Sequence, residues 1–246
     1  MKLTLSEPRF FKEPIIIISE LVNEVVFKIN RDGLELVAMD PANVAMVVYK
    51  LLGSAFVEYE IDDEIEIAVN LDNLKQVLRR AKPADIITLE LLESKLKITL
   101  KGTSERVFTL SLINLNDDER QKVPNLDFKS RIEIPSNLFN EAIEDMDVVS
   151  DSVAFEVKDR IFSVQAAGNL STARVSFKEN DNLSIESNDN VRSRYSLEYL
   201  KKIIKGSKLS DVCRIWLGNE YPLKIEYKVM DRLSLQIILA PRVSND

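Results

Sequence analysis

The residues in this chain best suited to do chemistry are cations at helical spacing. Lys75, Arg79 and Lys82 fall within about 60° of one another at the 100° per residue of an α-helix, with Arg80 further round on the polar side. Lys201, Lys205 and Lys208 form a matching stripe, with Lys202 beside it. Each segment carries four bases and one acid, Asp72 or Glu198. Two readings stay open: a solvated Lys/Arg face, or an electrostatic surface for a phosphate backbone, where clustered bases release condensed counterions. No interleaved aromatics or glycine-rich loops accompany the stripes, so base stacking and sequence readout are not indicated.

Composition argues against most catalytic chemistry. Histidine is absent from all 246 residues, which removes the Ser/His/Asp and Cys/His triads and the usual zinc sites. Six scattered glycines leave no GxGxxG fingerprint and no phosphate-cradling loop. The carboxylate clusters at 62–66 and 117–119 lack helical ligand spacing and read as solvated turns, not metal sites. The single cysteine, Cys213, cannot form an internal disulfide; it lies in the apolar run 212–217 and reads as core in a reducing compartment. No catalytic residue, metal or cofactor is expected. The longest apolar run near the start, Ile15 to Ile18, is far below the roughly 20 residues that span a membrane, so a cytoplasmic location is expected. The formal charge of −7, from 33 bases and 40 acids, by itself argues against nucleic acid. Sorting charge by element reverses that inference, because helices 71–82 and 196–208 each hold a net +3.

The elements that must position these cations repeat once. At an offset of 126, Leu71, Leu74, Lys75, Lys82 and Asp85 meet Leu197, Leu200, Lys201, Lys208 and Asp211. At an offset of 128, Val25, Phe27, Ile29, Leu34, Leu36 and Ala38 meet Val153, Phe155, Val157, Phe162, Val164 and Ala166. Asn70 and Ser196 are suited to cap the two basic helices; Pro83 should limit the first and Gly206 end the second. Further helices are expected at about 9–22, interrupted or delayed by Pro14, and at 136–148. Alternating strand-like stretches surround them, so the expected class is α+β, with helices laid on antiparallel sheets. The polar segment 116–129 reads as a connector between residues 1–115 and 130–246.

The strings AMDPANVAMV at 38–47 and LAPRV at 239–243 resemble DNA sliding clamps of the proliferating-cell-nuclear-antigen type, archaeal members above all. VNLDNLKQVLRRA, DIITLEL and GNEYPLKIEY fall in family order, so the resemblance covers essentially the whole chain. It implies two similar clamp domains per subunit and a ring-forming trimer whose inner face is made of helices around duplex DNA. Lys75, Arg79, Arg80, Lys82, Lys201, Lys202, Lys205 and Lys208 would then line the hole. The resemblance makes 116–129 an interdomain connecting loop beside a pocket for partner peptides, with matching positions Met39, Asn43, Val44, Met46, Val123, Pro124, Pro222, Ile238, Ala240 and Pro241. It implies DNA polymerase, flap endonuclease, DNA ligase and a clamp loader as partners. Subunits would join through edge strands 106–113 (Phe108, Leu110, Leu112) and 172–177 (Ala173, Val175, Phe177). Two departures stand out. Helix 136–148 carries Glu141, Glu144, Asp145 and Asp147 and no base, and the helix at about 9–22 offers only Arg9 and Lys12. They leave homotrimer and heterotrimer equally open. Beside the DNA-encircling processivity factor and docking platform, they leave the alternative of a clamp-fold protein-interaction scaffold, or specialised heterotrimer subunit, with little direct DNA contact.

Overall fold

A computed structural model describes residues 1–114 and 121–242. In the first half lie β1 (Lys2–Leu5), α1 (Arg9–Ile18), β2 (Glu24–Asn30), β3 (Gly33–Met39), β4 (Ala45–Leu52), β5 (Glu58–Glu60), β6 (Ile65–Asn70), α2 (Leu71–Leu78), β7 (Ile86–Leu92), β8 (Lys95–Lys101) and β9 (Glu105–Ser111). In the second half follow β10 (Ser130–Pro135), α3 (Ser136–Asp147), β11 (Ser152–Lys158), β12 (Ile161–Ala167), β13 (Thr172–Lys178), β14 (Ser184–Ser187), β15 (Val191–Ser196), α4 (Leu197–Ile203), β16 (Val212–Leu217), β17 (Leu223–Val229) and β18 (Leu233–Leu239). Two compact units result: Met1–Pro41, Val47–Val123 and Val229–Leu235 form one, and Ala42–Met46, Pro124–Lys228 and Gln236–Asp246 the other. The strand order β5-β1-β7-β8-β9 recurs as β14-β10-β16-β17-β18, and β4-β3-β2-β6 recurs as β13-β12-β11-β15. The α+β class and the internal repeat expected from sequence are both present.

The repeat is a repeat of the core. All twelve residues paired at offset 128 are buried, and the hairpin registers agree: Ile29 faces Leu34 and Val157 faces Phe162. Helix-to-sheet contacts repeat at the same offset, with the Phe11 and Phe27 rings 6.0 Å apart and those of Phe139 and Phe155 5.8 Å apart. Burial alternates along strands such as β8, β10 and β17, which puts one face in the core and the other in water, whereas β4 is buried continuously over Ala45–Tyr49.

Several local expectations need correction. Pro14 neither interrupts nor delays α1, which starts at Arg9 and runs through it. Proline lacks the N–H that would bond the Phe10 carbonyl four residues back. The buried Tyr49 hydroxyl donates to that carbonyl instead, at 2.5 Å. Helix α1 then closes at Ile18, where Ser19 donates its N–H to the Ile15 carbonyl, and does not continue to 22. Strands β1, β5 and β14 have three or four residues each, too short for an alternation signal, and sequence reasoning missed them.

Candidate nucleic-acid interface and docking surfaces

The first cationic segment is a short helix followed by a clamped turn. Asn70 Oδ1 accepts the Asn73 N–H at 3.1 Å and starts α2, while Leu71, Leu74, Val77 and Leu78 are buried. The α-helix ends at Leu78, before Pro83 acts, so the stripe expected over 71–82 is helical only in its first part. Arg79, Arg80 and Lys82 are exposed on the turn that follows. Lys75 sits apart from them, mostly covered and paired with Asp72 at 2.8 Å.

Three groups that sequence reasoning did not single out for this role hold the turn. The buried Asp85 accepts the Lys82 N–H at 2.7 Å and also binds the Arg106 guanidinium. Arg106 donates a second bond to the Arg80 carbonyl at 2.8 Å, and Lys12 Nζ reaches the Ala81 carbonyl at 2.9 Å. Cations thus cap the carbonyl end of the helix, where the macrodipole favours positive charge. The Lys82 N–H and then Arg106 hold the Asp85 carboxyl below its ordinary range despite burial. A Cβ at Gly102 would stand 2.1 Å from Asp85 Oδ1, so glycine leaves the carboxylate its place.

The second cationic segment differs. Ser196 occupies the start of α4 but its hydroxyl makes no capping bond; the Leu197 N–H instead donates to the Asp151 carbonyl, as the Leu71 N–H donates to Asn23. Gly206 does not end the helical path, which continues as a 3-10 turn over Ile204–Lys208. Its lack of a side chain lets that turn lie on the Tyr227 ring, where a Cβ would be 2.2 Å from ring carbons. Lys201 Nζ pairs with Asp147 of α3 at 2.5 Å, and Lys202 Nζ pairs with Glu198 at 2.9 Å. Lys205 and Lys208 are exposed on the 3-10 turn, and so are Glu141, Glu144 and Asp145 on α3.

The positions matched to a peptide pocket divide by exposure. Met46 and Ile238 are buried; Met39, Val44, Pro222, Ala240 and Pro241 are half-buried; Asn43, Val123 and Pro124 are exposed. Asn43 adopts a φ of 57°, and Val44 and Ala240 are joined by a 2.8 Å bond from the Ala240 N–H to the Val44 carbonyl. Near Pro222, the Phe128 ring meets Tyr221 edge-on at 5.8 Å, and the Asp127 N–H donates to the Tyr221 hydroxyl at 3.2 Å. Phe128 and Tyr221 escaped sequence reasoning because neither belongs to a periodic apolar pattern.

Strand β9 is the last strand of one sheet and β13 the last of another. Phe108, Leu110, Ala173, Val175 and Phe177 share the half-buried face of these edges. Leu112 lies beyond the end of β9, its N–H bonded to the Ser94 carbonyl at 2.9 Å. Of the carboxylates set aside as turns, Asp62, Asp63 and Glu64 are exposed, with Glu64 paired to Lys28 at 2.9 Å; 117–119 lie outside the described residues. Among the described residues no group of three or more Cys, Asp or Glu could hold a metal, and no helix is long and apolar enough to cross a membrane. Burial pushes the Cys213 thiol up to about 12, consistent with core packing.

A duplicated α+β unit with a basic helix end in each half defines the clamp class. The crystal structure of PCNA from Thermococcus kodakaraensis superposes with a TM-score of 0.91 at 27% identity, covering 98% of this chain and 99% of that one. Residues 1–122 match the family profile "Proliferating cell nuclear antigen, N-terminal domain", and 122–242 match the corresponding C-terminal domain. The chain belongs to the proliferating cell nuclear antigen family. A protein of Pyrococcus abyssi named DNA polymerase sliding clamp is 36% identical over 95% of this chain and 94% of its own length. A protein of the same name from Nanoarchaeum equitans is 31% identical over 98% and 99%.

Proposed function

We propose that this sliding clamp closes head to tail into a ring of three subunits around duplex DNA, as a non-catalytic processivity factor. The observation that carries this reading is the repeated basic helix end on a duplicated unit. Lys75, Arg79, Arg80 and Lys82, with Lys201, Lys202, Lys205 and Lys208, face the phosphates. Hydrated lysine and arginine side chains make contacts blind to sequence, and such contacts permit sliding. Enclosure, not tight affinity, keeps the ring on DNA. A surplus of acids elsewhere discourages the rest of the surface from adhering to DNA.

The ring closes by adding β9 of one copy to β13 of the next. Antiparallel pairing with Phe108 opposite Val175 would set Leu110 opposite Ala173 and Glu105 opposite Lys178. That self-complementarity supports a ring of one chain type, with Leu112 at its margin. The acidic α3 supports a second reading, a mixed ring in which sibling subunits supply more of the cations. Sedimentation of the pure chain separates them: a trimer alone supports the first, and a monomer that trimerises only with siblings supports the second.

Residues 116–129 act as the connecting loop between domains 1–115 and 130–246. Met39, Asn43, Val44, Met46, Val123, Pro124, Pro222, Ile238, Ala240 and Pro241 receive the anchoring peptide of a DNA polymerase, flap endonuclease or DNA ligase. The test of enclosure is retention after loading by a clamp loader. The clamp should stay on nicked circular plasmid and leave once the plasmid is linearised; equal retention on both forms would overturn the ring.

A further inference from the structure

The solvent face of the sheet in the second unit carries a charge pattern with one gap. Arg131, Trp216 and Lys224 stand in a row across β10, β16 and β17, and Glu133, Arg214 and Glu226 in the next row. Nearly every base here has its carboxylate. Arg131 pairs with Glu133 at 2.5 Å and Glu186 at 3.7 Å. Arg214 pairs with Glu133 at 2.9 Å and Glu226 at 3.7 Å, and Lys129 with Asp127 at 2.6 Å.

Lys224 is the exception. Among the described residues no carboxylate lies within ion-pair distance of its ammonium. That group instead lies 3.9 Å from the Trp216 ring centroid and 5.2 Å from that of Phe128. Ring faces attract the cation but leave most of its three N–H donors to solvent. Burial holds the Lys224 pKa below the ordinary lysine value although Glu226 on the same strand pulls it up, so the ammonium is partly desolvated with its nearest carboxylate beyond ion-pair distance. Phe128 and Trp216 also wall a cleft of about 540 Å³ with Arg131, Ile185 and Glu186. Half-buried aromatics around a cation are the residue types in which interface energy concentrates.

We infer that Trp216, Phe128 and Lys224 form a seat for an acidic segment of a docked peptide, one carboxylate meeting the Lys224 ammonium. Pro222 lies two residues before Lys224, so the inference rests on the docking surface proposed above and extends it along β17. A single cation with no direct ion-pair partner suits one carboxylate. A nucleic-acid strand would need a track of bases, and the neighbouring bases are already paired.

Trp216 is the only tryptophan in the chain, so its emission reports on this place alone. Two fluorescein-labelled, tryptophan-free synthetic peptides would share aliphatic and aromatic anchors, one continuing into Glu-Asp-Glu and the other into Ser-Gly-Ser. With the full chain, the acidic peptide should bind about five-fold tighter by anisotropy, the upper range for a partly exposed ion pair, and should alter Trp216 emission. Lys224→Gln should erase the preference and leave the affinity of the neutral peptide unchanged. Equal binding of both peptides, or tight acidic-peptide binding with unaltered Trp216 emission, would overturn the seat and leave the docking surface standing. Binding of neither would overturn both. Loss of neutral-peptide binding in Lys224→Gln would reduce Lys224 to a structural role, and quenching of Trp216 by a dT oligonucleotide would assign the place to nucleic acid.

Discussion

The two units share a core and differ in the charge of their helices. Phe11 on Phe27 and Phe139 on Phe155 are the same contact at the same offset. Around them, α1, α2 and the turn 79–82 hold six bases and two acids, whereas α3, α4 and the turn 204–208 hold four bases and five acids. The acids of the second unit also engage its bases, since Asp147 holds Lys201 and Glu198 holds Lys202. Two copies of one fold need the same interior but not the same exterior. Close-packed side chains tolerate little change in volume, while exposed charges change at small cost to stability. The first unit keeps Arg79, Arg80 and Lys82 exposed at its helix end, while in the second unit two of the four lysines are held by acids.

The largest expected effects test the shared core. Phe11→Ala and Phe139→Ala should each cost about 3–5 kcal/mol in chemical denaturation, the usual range for an emptied aromatic site. A cost confined to one of them would show that the repeat is one of outline only. Next comes the contrast in charge. Replacing Arg79, Arg80 and Lys82 with Glu should weaken direct binding of the unloaded clamp to duplex DNA at low salt and flatten its log–log salt dependence by about 0.9 for each phosphate no longer neutralised. The same exchange at Lys201, Lys205 and Lys208 should do less, and equal losses would erase the distinction between the units.

A smaller effect is expected at the clamped turn. Asp85→Asn should lower the melting temperature and weaken direct DNA binding together, because Arg80 and Lys82 lose their anchor. The folded pKa of Asp85 is depressed, so its stabilisation is present above the ordinary carboxylate range and fades as pH falls through the depressed value. Melting curves of parent and variant should therefore converge in acid; a constant gap at all pH would point to lost packing. Smallest of all, Asp147→Asn should free Lys201 and strengthen direct DNA binding a few-fold at low salt, an effect that disappears as salt screens it.

Much of this was legible from residue order. Twelve buried positions at a fixed offset and the Asn70 cap were readable, because alternation and capping are local patterns. What escaped depended on residues distant in the chain. Tyr49 rescues the carbonyl that Pro14 leaves open, and Arg106 and Lys12 cap a helix far from either. Asp147 neutralises a lysine 54 positions away. Lys224 meets the Trp216 ring only across adjacent strands, and the Phe128 ring only where the segment before β10 comes alongside.

The order of residues by itself determined the fold class, the duplication and the kind of charge each helix carries, since these follow from periodicity and side-chain chemistry along a few turns. Only the tertiary structure decided which of those charges remain available. A cation's effect depends on what lies within a few ångströms of it, and for Lys201 and Lys224 those neighbours come from other elements of the fold.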